Sequence, residues 1–111
     1  MADEFKRHVA YKLKIGDIMS GSILMEGDRL KFVQIHSDNV ARANIIANVI
    51  EKYIQDEEKK FGSITLDDAS GQIKIKVFGE DIEKLKPFEQ GDTVMVIGLI
   101  RQWNNELYLI P

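Results

Sequence analysis

The sequence predicts an all-β fold: a five-stranded Greek-key barrel with an extra N-terminal β-hairpin and one short helix between barrel strands three and four. Three observations predict it. The stretch 60–81, KFGSITLDDASGQIKIKVFGED, alternates with period two on both sides of a polar turn, as a hairpin does. Apolar runs rich in β-branched residues recur at 40–54 and 93–102, divided by Gly, Asp and Asn clusters. Only one segment, GEDIEKLKPF at 79–88, carries helix end signals, with Glu80 and Asp81 in the first turn, Lys84 and Lys86 in the last, and Pro87 as a stop.

In chain order, residues 1–12 are polar and mixed in sign and are read as a loose leader. Residues 13–39 are read as a β-hairpin extension. There Gly16, Gly21 and Gly27 punctuate short apolar runs, and MEGDR turns a strand near Ser22 to Met25 into another near Leu30 to Ile35. Ser37, Asp38 and Asn39 make a second break. The barrel is assigned to residues 40–111. Its first segment, VARANIIANVIEKYI, can be drawn as a helix or as a long bent strand. Val40, Ile45, Ile46, Val49, Ile50 and Ile54 favour the strand, which is the assignment taken.

The charged QDEEKK loop then leads to the hairpin. In its first strand Ile64 and Leu66 oppose Phe61, Ser63 and Thr65; in its second Ile73, Ile75 and Val77 oppose Lys74, Lys76 and Phe78. Asp67, Asp68, Ser70 and Gly71 supply the turn. After the helix, TVMVIGLIRQ reads as a core strand bent at Gly98, WNN as its exit, and Glu106 to Ile110 as the last strand. The abrupt stop at Pro111 leads to the expectation of a domain cut from a longer chain. Strand, loop, hairpin, helix, bent strand, loop and strand is the order of an OB-fold. That fold binds ligands on the face of its second and third strands, between the loops that follow strand one and join strands four and five. Those loops are QDEEKK and WNN.

Composition narrows the function. The 111 residues are 44% hydrophobic and 30% charged, enough for one domain, and no apolar run approaches a membrane span. The N-terminus lacks the pattern of a secretory signal, and with no cysteine the chain forms no disulfide, so a cytoplasmic, nucleoid-associated protein is expected. A net charge of −3 confines any nucleic-acid surface to a local patch. No enzyme, metal site, cofactor or membrane partner is expected. Asp67 and Asp68 sit in a turn as capping residues, His8 and His36 stand apart, and no glycine pattern matches a phosphate loop.

A binding surface is the stronger prospect. Phe78 falls on the lysine side of its strand, where a large ring should be wet, and Lys74 and Lys76 share that face. Phe61, Ser63 and Thr65 share the matching face of the preceding strand, and Arg101 and Trp103 are co-facial on the bent strand. Rings to stack on and cations for phosphates are the chemistry of single-stranded nucleic-acid binding. Each residue also has a plainer role open to it. Phe61 could be core, Ser63 and Thr65 ordinary strand residues, the lysines guards against aggregation, and Trp103 a lid.

The hairpin LDDASGQIKIKVFGED and the stretch EQGDTVMVIGLIRQWNNELYL resemble the OB-fold of replication protein A subunits, in particular the archaeal version of the middle subunit. The resemblance covers residues 44–111. It implies base-stacking aromatics at Phe78 and Trp103 and basic contacts at Lys74 and Arg101; Lys76, Phe61, Ser63 and Thr65 follow from alternation alone. It implies a single-stranded DNA-binding domain in replication, recombination and repair, with single-stranded DNA and other subunits of such a complex as partners. Two alternatives stay open: a scaffold domain binding a protein partner in such a complex, and an RNA-binding domain.

Overall fold

A fourteen-residue strand, β5 (Arg42–Gln55), runs through the middle of the molecule. Ala43, Ile45, Ala47 and Val49 are buried and alternate with residues that face out, so the segment that could be drawn as helix or strand has a strand's period. The computed structural model describes residues 9–111. Around β5 lie β1 (Ala10–Lys12), helix α1 (Ile15–Met19), β2 (Ser22–Glu26), β3 (Arg29–Ile35), β4 (Asp38–Val40), β6 (Phe61–Asp67), β7 (Gln72–Phe78), β8 (Thr93–Trp103) and β9 (Glu106–Ile110). A short 3₁₀ helix, Gly79–Lys84, follows β7.

The strands form two sheets, one of six in the order β1-β5-β6-β7-β9-β8, with β5 also paired to β8, and one of three in the order β2-β3-β4. The expectation of a five-stranded Greek-key barrel with an added hairpin and a single helix is therefore corrected. The larger sheet has a sixth strand, β1, laid parallel on Arg42 to Asn44, and its three residues are too few to show a period. The extension is an antiparallel meander of three strands preceded by α1. Its β2–β3 pair lies where the hairpin was expected, while β4 and α1 are too short, at three and five residues, to show a period. Of the leader expected over residues 1–12, residues 1–8, including His8, lie outside the described residues, while Ala10–Lys12 form β1.

β5 divides its length between two partners. Arg42 to Asn48 pair with β8, and Asn48 to Gln55 pair with β6, with a bulge between Val49 and Glu51 at the handover. Gly98 marks a similar change on β8, which leaves β5 and takes up β9 at Leu99 and Ile110. A β-carbon there would stand 2.8 Å from the carbonyl oxygen of Ile110, so glycine allows the close approach.

One core joins both sheets. Ile18 from α1, Val33 from β3 and Val40 from β4 are buried in the same cluster as Ile64, Leu66, Ile100 and Leu109. The β6–β7 turn clamps α1 to this body. An Asp68 carboxylate oxygen accepts the Ile15 N–H at 2.8 Å, and the Ser70 hydroxyl oxygen accepts the Gly16 N–H at 2.8 Å. Asp68 also accepts from the Ser70 N–H at 2.9 Å and the Ser70 hydroxyl at 2.6 Å. Burial pushes the Asp68 carboxyl upward, but these hydrogen bonds outweigh it and hold the group below the ordinary aspartate range.

The sign of the pH effect follows. A carboxylate with a depressed folded-state pKa contributes stability that is present above its unfolded value and is lost as pH falls through the folded one. Asp68→Ala should lower stability by about 1.5–3 kcal/mol at pH 7. The gap between variant and parent should narrow below about pH 4, where the carboxylate begins to protonate. Urea unfolding of both proteins at pH 7 and pH 3 measures it, and a gap independent of pH would remove the charge from the explanation.

Candidate nucleic-acid interface

The outer face of four adjacent strands carries the groove. β6 and β7 pair in the register Phe61 with Phe78, Ser63 with Lys76, and Thr65 with Lys74. Because Ile64, Leu66, Ile73, Ile75 and Val77 point into the core, those six side chains are committed to the opposite face. β9 lies parallel to β7 and brings Tyr108 beside Lys74, and β8 adds Arg101 opposite Tyr108 and Trp103 opposite Glu106. Asn104 and Asn105 make the two-residue β8–β9 turn with φ of 52° and 64°, the left-handed pair that a tight hairpin needs and that asparagine tolerates. Trp103 is thereby held at the end of a paired strand.

Phe61, Lys76, Phe78, Trp103 and Tyr108 line a cavity of about 390 Å³. Phe78 and Trp103 are 56% and 65% exposed, well above what packing requires of such large rings. The Phe61 and Phe78 rings lie 5.3 Å apart at 47°, and Tyr53 of β5 continues the row 6.2 Å from Phe61. Not all the expected residues meet here. Lys74 and Thr65 line a neighbouring depression of about 190 Å³ with Met19, Gln72, Ile73, Glu106 and Leu107. Thr65, expected on the wet face, is only 8% exposed, and its hydroxyl lies 3.4 Å from the Glu51 carboxylate. Ser63 is half-buried beside Lys76. Arg101 is half-buried too, and its guanidinium donates to the Ile100 carbonyl at 3.2 Å.

The charge around the groove is largely paired. Lys76 places its ammonium 4.7 Å from the centre of the Tyr108 ring and 3.4 Å from the Glu106 carboxylate. At the Phe61 end, Lys60 pairs with Glu80 at 3.0 Å, and that hydrogen bond raises the lysine's pKa. Lys86 is taken up by Asp56 and Glu83. A concavity of about 530 Å³ beyond Tyr53 is lined by Asp56, Glu57 and Glu58 and is acidic. Among the described residues, no carboxylate stands within ion-pair distance of Lys74 or Arg101. Among the described residues no group of three or more His, Cys, Asp or Glu is placed to hold a metal ion, and no helix is long and apolar enough to cross a membrane.

Tyr108, Tyr53 and Glu106 were not among the residues picked out from sequence. Tyr108 could have been found from its place two residues after Glu106 on a strand whose Leu107 and Leu109 point inward. Tyr53 could not, because the bulge at Val49 and Glu51 reverses the phase of β5.

The chain is similar to known proteins in sequence family and in fold. Residues 44–111 match a family model described as an OB-fold nucleic acid binding domain. Two solved structures share the fold. One is a chain from a replication protein A heterotrimer bound to ssDNA, with TM-score 0.72 and 14% identity over 92% of this chain and 75% of that one. The other is from the S. pombe Stn1–Ten1 complex, with TM-score 0.73 and 19% identity over 92% of this chain and 74% of that one. No curated protein matches the chain significantly. Since the family model spans more than half of the sequence, including the strands that build the groove, the chain belongs to the OB-fold nucleic acid binding domain family.

Proposed function

We propose that the chain is a single-stranded DNA-binding domain of a replication protein A-like subunit, similar to the archaeal middle subunit, acting at the nucleoid in replication, recombination and repair. The observation that carries this is the groove itself, in which Phe61, Phe78, Trp103 and Tyr108 line one cavity with Lys76. Bases stack on Phe78 and Trp103, Phe61 supports the Phe78 ring, Lys74 and Arg101 meet phosphates along the strand, and Lys76, held by Glu106 and Tyr108, faces the stacked bases. Ser63 adds a polar contact, and Thr65, nearly covered, is the cross-strand neighbour of Lys74.

Titration of labelled oligo(dT), oligo(U) and a duplex at two salt concentrations tests it. Single strands should bind far better than duplex, because a ring stacks only on a base that is free. With two or three phosphates neutralised, log affinity should fall by about 1.4 to 2.1 units per log unit of salt. Equal affinity for duplex would refute stacking, and the oligo(U) arm separates DNA from RNA binding.

A second reading has its own observation. On the outer face shared by β5 and β8, Ile46 and Met95 are cross-strand partners, 58% and 63% exposed, with Ile97 nearby at 44%. Such an apolar face suits another subunit of the same kind of assembly. It predicts that the domain captures a protein partner with no measurable oligonucleotide binding of its own.

A further inference from the structure

We propose that the Lys76–Glu106 pair makes the groove select guanine over the other bases, an inference that rests on the single-strand binding reading above. The Lys76 ammonium is held in place, its side chain only 16% exposed, between the Tyr108 ring and the carboxylate of Glu106. Glu106 is half open, its side chain 51% exposed; it pairs across the strand from Trp103 and stands at the border between the groove and the neighbouring depression that it lines. One carboxylate oxygen is 3.4 Å from the ammonium, which leaves the second directed away from the lysine contact. In the proposed mode a base stacked on Trp103 turns its edge toward the neighbouring Lys76–Glu106 pair, which offers one donor, the Lys76 Nζ, and two acceptors, Oε1 and Oε2 of Glu106.

The bases differ in how they answer those groups. Guanine presents on its Watson–Crick edge an acceptor, O6, followed by two donors, N1–H and N2–H, so O6 accepts from Lys76 while both N–H groups donate to the carboxylate. Thymine presents acceptor, donor, acceptor, and its O2 opposes a carboxylate oxygen. Cytosine presents donor, acceptor, acceptor, which sets like against like at all three positions. Adenine has one donor and no second one beside it. Guanine alone completes all three contacts. A carboxylate that would repel phosphates in a purely electrostatic groove becomes the group that identifies a base.

The test uses the full chain and labelled eight-nucleotide strands read by fluorescence anisotropy: oligo(dT), and the same strand with two isolated thymines replaced by guanine, inosine or cytosine. Isolated guanines keep the strands from forming quadruplexes. The guanine strand should bind about fivefold or more tightly than oligo(dT), and inosine, which lacks only the N2 amino group, should lose most of that gain. Glu106→Gln, which replaces one acceptor by a donor, should bring the guanine-to-thymine ratio close to one, with its melting curve showing the fold intact. Equal binding of guanine and thymine strands, or of guanine and inosine strands, or a preference that survives Glu106→Gln, overturns the inference while leaving single-strand binding standing. No binding to any strand overturns both.

Discussion

Phe78→Ala and Trp103→Ala are each expected to weaken single-stranded DNA binding about five- to a hundredfold, the range of one lost base–aromatic stack. The double variant should bind almost nothing. Stability should scarcely follow. Both rings are more than half exposed, so their removal opens no core cavity, and the cost stays well under the ~3–5 kcal/mol of a buried aromatic. Phe78→Ala also strips Phe61 of its neighbour at 5.3 Å, which adds roughly 0.5–1.5 kcal/mol. Thermal unfolding and oligo(dT) titration on both singles and the double tell three roles apart. Lost binding with a preserved melting temperature is the stacking role, a collapsed melting temperature is a core role, and unchanged DNA affinity in a folded double variant ends the proposal.

Ile18→Ala is expected to have the largest effect on folding, about 2–5 kcal/mol, although it lies in a five-residue helix of the N-terminal extension. Ile18 is fully buried and belongs to the same cluster as Ile64, Leu66 and Leu109 of the larger sheet. In a domain of this size that loss lowers the melting temperature by roughly 10 °C or more. Urea unfolding should remain a single transition. An appendage merely resting on the larger sheet would instead give a small early transition and leave the main one where it was.

What could be read from sequence followed from where alternation was unbroken. The β6–β7 hairpin was legible in its phase, because Ile64, Leu66, Ile73, Ile75 and Val77 keep strict period two on either side of a turn rich in Asp, Ser and Gly, although Asp67, read as turn, ends β6 opposite Gln72 and Thr65, read as wet, is nearly covered. The bend at Gly98 was legible because a lone glycine in an apolar strand has few other uses. Tyr53 was hidden: in β5 the odd-numbered residues up to Val49 are buried, and only the bulge turns Glu51 and Tyr53 outward. The partnership of Lys76 with Glu106, 30 residues apart, depends on a parallel β7–β9 contact that no local pattern announces. In the extension the β2–β3 hairpin was legible around MEGDR, whereas β4 and α1, three and five residues long, are too short to show a period.

The double partnership of β5 has a consequence for the chain as it leaves the ribosome. The second half of β5 finds β6 after a short loop, but the first half must wait for its antiparallel partner, since Arg42 pairs with Leu99 and Asn48 with Thr93. Until residues 93–99 have emerged, the backbone from 42 to 48 lacks those ladder bonds, with Ile46 beside it uncovered by its neighbour Met95. Closing so long a loop is slow compared with forming the β6–β7 hairpin. Nascent molecules therefore pass through an interval with an open, apolar strand edge, the kind of surface on which chains meet one another before they finish folding.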